Sequence, residues 1–222
     1  MSFDPQAIYE DPGDFHARAF DTAERSLWVP QLSAEPTLVL GSSQSANDVD
    51  HDALRSAGIG LTSRRSGGGA VLVSFDDLVW FDIVLPSTDP LWDADVGRSF
   101  DWLGTACQRA LRSLDVETER HTGSLVSNEW SRKICFASLG PGELTVDGKK
   151  LVGMSQRRTR QASRIQVAIL RRWDGEQHAQ FLDVPGADRA RAAADLEHAA
   201  FGIPHSPTEI MDAVTDELQT IG

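Results

Sequence analysis

Cysteine is scarce in this chain, and so are tyrosine, basic residues and long apolar runs. Two cysteines among 222 residues, Cys107 and Cys135, are too few for a disulfide framework, and they lack the repeated CxxC spacing of a structural zinc site. No metal-ligand set is expected. No window approaches the ~18 uninterrupted apolar residues of a membrane span, and the opening MSFDPQAIYEDPGDF has neither the basic nor the apolar part of a leader. The expectation is a cytoplasmic protein with no membrane partner. Lysine and arginine number 21 against 33 acids, a formal charge of −12, so most of the surface repels a phosphate backbone and nucleic acid is not an expected partner. Neither GxxxxGK[ST] nor GxGxxG before a helix occurs, which argues against the common nucleotide-binding loops.

What is present suffices for a full core. At 41% hydrophobic residues the chain is expected to form one globular unit over residues 1–222. DFHARAFDTAERSLW places Phe15, Ala19 and Ala23 on one side, which predicts an amphipathic helix. NDVDHDALRSAG predicts a second helix, opened by Asn47 or Asp48 and closed by Gly58. In GRSFDWLGTACQRALRSL the apolar residues Phe100, Leu103, Cys107, Leu111 and Leu114 recur at helical spacing, so Cys107 is expected to pack into a core. Strands are expected at SLWVPQL, PTLVLG, GIGLTSR, GAVLVS, DLVWFDIVLP, ICFAS, ELTVDG, KKLVGMSQ and RIQVAIL, with Asp147 and Gly148 as a hairpin turn. Ser206, Pro207 and Glu209 form a capping box ahead of a terminal helix over about 206–221. Clustered strands with a few helices and no βαβ rhythm predict an α+β fold, with a mixed, mostly antiparallel sheet flanked by helices.

Three features invite chemistry. RRSGGGAVLV, Arg64 to Val73, sets Gly67, Gly68 and Gly69 between strands; such a run permits positive φ and close approach of a ligand to bare amides, or serves only as a tight turn. DGKKLVGMSQRR puts a lysine three residues before Gly153, where its ammonium reaches a site or simply meets solvent. From Lys149 to Arg172 the chain carries Lys149, Lys150, Arg157, Arg158, Arg160, Arg164, Arg171 and Arg172 with no acid among them, a local asymmetry that suits an anionic partner.

Taken together and in order, RRSGGGAV and GKKLVGMSQRR resemble the catalytic domain shared by lipoate–protein ligases and octanoyltransferases, in the wider biotin/lipoate ligase superfamily. LGSSQ at Leu40 to Gln44 resembles a third family element, and the resemblance covers about residues 28–170. It implies an enzyme of the biotin/lipoate protein ligase catalytic-domain fold, which joins a lipoyl or octanoyl group through an amide bond to the target lysine of a lipoyl domain. It further implies that Arg65, Ser66, Gly67, Gly68, Gly69 and Ala70 bind the acyl or activated acyl group, with Gly153, Ser155 and Gln156 on the strand after the lysine. Lys150 would neutralise the reacting oxygen, where a cation stabilises charge as it develops.

Two routes follow from the resemblance. A ligase uses ATP and Mg²⁺ to activate free lipoate or octanoate; a transferase needs no cofactor and takes octanoyl from acyl carrier protein or another lipoyl domain. Cys135 lies fifteen residues before Lys150, a spacing similar to that of the nucleophilic cysteine in one transferase branch. A thiolate forms acyl thioesters readily and is favoured by cationic neighbours; the other reading is a cysteine packed in an apolar strand between Ile134 and Phe136. The expected acceptors are lipoyl domains of 2-oxoacid dehydrogenase subunits or the glycine cleavage H protein. Their acidic surfaces would meet the basic segment, unless that segment merely guards a strand edge. The chain departs from the family's pattern at Val73 and Ser74 (usually His-Asp), at Gln166 and Val167 (often His-Gly), and at Gly142 and Glu143 (Asn-Asp in ligases). Those departures also motivate a non-catalytic module that binds a lipoyl domain or an acyl group.

Overall fold

The computed structural model describes residues 3–20 and 24–221. In chain order its elements are β1 (Pro5–Ile8), α1 (Pro12–Ala17), β2 (Ser26–Pro30), β3 (Thr37–Leu40), α2 (His51–Ser56), β4 (Gly60–Ser63), β5 (Val71–Val73), β6 (Leu78–Pro86), α3 (Asp101–Ser113), β7 (Glu119–Arg120), β8 (Val126–Ser127), β9 (Ser138–Leu139), β10 (Leu144–Val146), β11 (Lys149–Arg158), β12 (Ala162–Leu170), α4 (Gly175–Gln180), α5 (Gly186–Glu197) and α6 (Pro207–Thr220). A seven-stranded sheet runs β1-β2-β6-β12-β11-β10-β7. Only β1 and β2 pair in parallel within it. A three-stranded sheet, β4-β3-β5, holds the glycine run between its last two strands in sequence. This is the expected α+β architecture with a mostly antiparallel sheet.

The local signals behave as their chemistry dictates. Asp147 and Gly148 both take positive φ, 50° and 77°, as a two-residue hairpin between β10 and β11 requires. Ser206 accepts from Glu209 N while Glu209 reaches back to Ser206 N. Strands β6 and β12, buried along their whole length, form the centre of the core, with α3 and α6 supplying Leu103, Leu111, Ile210 and Val214. Cys107 is fully buried there, and burial pushes its thiol up to about 12.

Three expectations are corrected. The first helix ends at Ala17, short of Ala19, and Ala23 lies outside the described residues; Arg164 donates to the carbonyls of Phe15 (2.9 Å) and Arg18 (3.2 Å), taking the acceptors that a further turn would have used. The cap of α2 is Asp50, which accepts from Asp52 and Ala53 N, while Ser45 caps a separate 3₁₀ turn over Ala46–Asp48. ICFAS is strand only at its last residue, where β9 begins: Cys135–Ala137 form a 3₁₀ turn instead. Along the basic segment β12 is paired on both sides, whereas β11 pairs with β12 on one side and with β10 only over residues 149–152 on the other. Arg164 points inward to Asp82, Arg171 donates to the carbonyls of His205 and Phe75, and Arg158 donates to Asp93 O while lying over Trp92. No helix was expected where α4 and α5 stand.

Candidate functional site

All three sequence motifs meet at the turn that carries Cys135. Gln44, from LGSSQ, donates through Nε2 to Lys133 O at 3.1 Å. Ala70, at the end of the glycine run, donates from its main-chain N to the same oxygen at 2.8 Å, and its own O accepts from Cys135 N at 3.0 Å. Lys150 donates through Nζ to Cys135 O at 3.1 Å and to Ser138 O at 3.0 Å. The turn is thus clamped by groups from β3–α2, β4–β5 and β11, which are remote in sequence.

Two of the three glycines explain themselves by this approach. A Cβ on Gly69 would lie 2.6–2.8 Å from the main-chain atoms of Ile134 and Cys135, so the turn can dock only against bare backbone. Gly68 has φ +96°, and a Cβ there would fall 3.0 Å from Arg64 Nη2 and 3.6 Å from Cys135 Sγ. Gly67 has nothing within 4 Å of its Cβ position and lies exposed at the loop tip.

Lys150 reaches the turn because β11 carries a bulge. Leu144 faces Val152 and Thr145 faces Lys150, so Leu151 is an extra residue on β11. In a regular strand residues three apart point to opposite faces; the bulge brings Lys150 to the side of Gly153, where its Cε lies 3.2 Å from the position of a Gly153 Cβ. The ammonium, 3% exposed, also pairs with Glu143 Oε2 at 2.8 Å and sits 5.1 Å from the centre of the Phe136 ring. Glu143 in turn accepts from Met154 N at 2.7 Å and Gly140 N at 2.6 Å. An ammonium has three protons to donate, and the two carbonyls and Glu143 take all three.

A narrow cleft, lined by Arg64, Cys135, Phe136, Gly153, Ser155 and Gln166 among others, holds ≈ 10 Å³ of space, about one water. Behind it runs a buried polar chain. Ser66 meets Ser155 Oγ at 3.0 Å and donates to Gln166 Oε1; Gln166 Nε2 donates to His16 Nδ1 at 3.2 Å and to Asp82 Oδ2 at 3.3 Å. Asp82 is fixed by Arg164 and by Trp80 Nε1 at 2.7 Å. Burial pushes the Asp82 carboxyl upward, opposed chiefly by Arg164. Burial, helped by Arg164 and Arg64, pushes His16 down to about 3, so the ring is neutral at ordinary pH.

The sequence-predicted residues divide. Ser66, Gly68, Gly69, Ala70, Lys150, Gly153 and Ser155 gather around Cys135. Gln156 bonds to Ser99 at 3.1 Å. Arg65 is exposed and lines an open cleft with Gly41, Ser42 and Arg157, while its neighbour Arg64 is the buried arginine, lining both clefts. Arg64 and Glu143 are the site residues that sequence reasoning missed. A lone acid in the apolar run PGELTV was the available signal for Glu143; nothing local separates the two arginines of RRSGGG.

Comparison with known proteins gives the family and the fold. The model of the lipoyl protein ligase A/B catalytic domain matches residues 16–218, and the chain belongs to that family. Octanoyltransferase LipM of Moorella thermoacetica is 31% identical over 171 residues, 76% of this chain and 62% of that protein. Octanoyltransferase LipM of Kyrpidia tusciae is 31% identical over 194 residues, 82% of this chain and 70% of its own. The chain thus spans about three fifths of the Moorella protein's length. In fold it is similar to a bi-partite lipoate protein ligase of Thermoplasma acidophilum, with a TM-score of 0.76 at 20% identity over 98% of this chain and 82% of the other. No described helix is long and apolar enough to cross a membrane.

Proposed function

We infer that the chain is an octanoyl- or lipoyl-transferring enzyme that carries its acyl group as a thioester on Cys135 and delivers it to a lipoyl-domain lysine. The observation that carries this reading is the Cys135 turn itself: three separate motifs converge on its backbone, and the thiol it carries lines a cleft, a degree of positioning that a packing residue does not need. Lys150 and Glu143 fix the turn through the Cys135 carbonyl. A cavity of ≈ 220 Å³, lined by Phe15, Leu32 and Val73 together with Glu10, Asp11 and His16, shares Trp80 with the cleft and supports a place for the acyl tail beside it. The relatives named LipM support a transferase, and the Thermoplasma acidophilum ligase, described together with its E2 lipoyl domain, supports an acceptor of that kind; a cytoplasmic setting is part of the same proposal.

A second reading, ATP-dependent activation of free lipoate or octanoate, is favoured by one observation: the open cleft that holds Arg64, Arg65 and Arg157, guanidinium groups suited to phosphate oxygens. Among the described residues no group of three His, Cys, Asp or Glu side chains gathers to hold a metal, so magnesium would be held chiefly by the nucleotide it accompanies.

Intact-mass analysis of an apo lipoyl domain separates the readings. It is incubated with the protein and either octanoyl-loaded carrier protein or MgATP plus free octanoate or lipoate. Modification from the carrier, with an acyl adduct on Cys135, is expected. Modification only with MgATP would replace the thioester route by the ligase route, and none from either donor would leave a binding module.

A further inference from the structure

Arg64 is the only charged side chain lining the cleft around Cys135 among the described residues. It is 2% exposed, and the acceptors that hold it are neutral: Nη1 donates to Val39 O at 3.2 Å, and Nη2 to Gly67 O at 2.8 Å and Gly69 O at 2.9 Å. Its Nε is buried without a partner. A buried cation held only by neutral oxygens, with a donor to spare, is costly unless a negative group completes it.

The thiol of Cys135 stands where that group is needed. Arg64 Nη2 and Cys135 Sγ flank the spot that a Cβ on Gly68 would occupy, at 3.0 and 3.6 Å from it, so the missing side chain leaves the two facing each other. Burial pushes the Arg64 guanidinium down from its ordinary value, and the neighbouring Cys135 side chain opposes that shift. Lys150 is not available for this task, because its protons go to Cys135 O, Ser138 O and Glu143. The other polar groups facing the thiol, Gln166 from β12 and Ser155 from β11, are neutral.

We propose that Arg64 is the catalytic cation of this site, paired with the thiolate form of Cys135. The assignment rests on the thioester reading above. The thiolate attacks the carbonyl carbon of a thioester donor; the new sulfur–carbon bond forms, the donor's carbon–sulfur bond breaks, and the departing thiolate takes a proton from water. When the acceptor amine attacks, the carbon–nitrogen bond forms, the amine's proton goes to water, and Cys135 leaves as a thiolate that returns to Arg64. The guanidinium keeps its charge throughout.

The test is the rate at which iodoacetamide alkylates Cys135, followed by peptide mass from neutral to alkaline pH in the wild type, Arg64→Gln and Arg64→Lys, with folding checked by thermal melting. At neutral pH Arg64→Gln is expected to react about ten-fold or more slowly, Arg64→Lys within a few-fold of wild type, and the gap to close as the pH is raised. Wild-type reactivity in a folded Arg64→Gln overturns the proposal. Should that variant fail to fold, Arg64→Lys decides: it keeps the charge without the three carbonyl bonds, and a ten-fold loss there overturns the pairing equally. Acyl loading of the wild type is measured in parallel. The expected alkylation pattern without any acyl adduct would retire the thioester route and leave the Arg64–Cys135 pair standing.

Discussion

Lys150 Nζ meets the main-chain oxygen of Cys135 at 3.1 Å, so the two residues singled out for chemistry are joined through the backbone. The same ammonium closes an ion pair with Glu143, both partners nearly fully buried. Breaking a buried pair from one side leaves an uncompensated charge and costs about 3–5 kcal/mol, whereas replacing both partners is far milder. Lys150→Met is therefore expected to lose stability of that order in urea titrations, and Lys150→Met with Glu143→Gln to recover most of it. Acyl transfer is expected to stay low in the double variant, because the Cys135 turn has lost its tether. Near-normal transfer in that folded protein would take Lys150 out of the mechanism.

Cys135→Ser keeps the volume of the side chain and disturbs none of the backbone bonds that hold the turn. Its melting temperature is expected to fall, because Arg64 loses the anion it faces, while the protein stays folded and the acyl adduct and transfer from a carrier disappear. Undiminished transfer from the carrier would assign Cys135 to packing.

The glycines of RRSGGG are predicted to be unequal. Gly69→Ala drives a methyl group into the Ile134–Cys135 backbone and is expected to cost about 1–3 kcal/mol, with loss of acyl loading. Gly67→Ala meets open space and should leave both nearly unchanged. Equal tolerance of the two variants, by melting and by intact mass, would contradict the docking of the turn on bare backbone.

His16 gives a pH dependence whose sign follows from its burial. The unfolded chain protonates this ring near 6.5, and the fold does not until about 3. Between those values the unfolded state binds the extra proton, so stability falls with acidification by about 1.4 kcal/mol per pH unit from this group. His16→Gln removes the term, and its stability should fall less steeply than that of wild type across this window. Parallel slopes in urea titrations from pH 6 to pH 4 would show that the ring is not held neutral.

Much of this molecule was determined by its sequence acting locally. The Asp147–Gly148 hairpin, the Ser206–Glu209 capping box and the helical stripe around Cys107 each depend on residues a few positions apart, whose φ preferences, hydrogen bonds and periodicity act before any long-range contact forms. The family motifs were legible for the same reason, as short runs in order. Tertiary structure alone decided what those runs do. Arg64 and Arg65 are chemically identical in sequence, and only the docking of β3 beside β4 turns the first inward. Arg164 reads as surface charge until Asp82, brought alongside by the pairing of β6 with β12, makes it an internal ion pair. A β-bulge against β10 puts Lys150 on the side of Gly153, and the fit of Gly69 against Ile134 bends the expected strand at Cys135 into a turn. These outcomes depend on partners tens of residues away, and no local preference of the chain specifies which partner arrives.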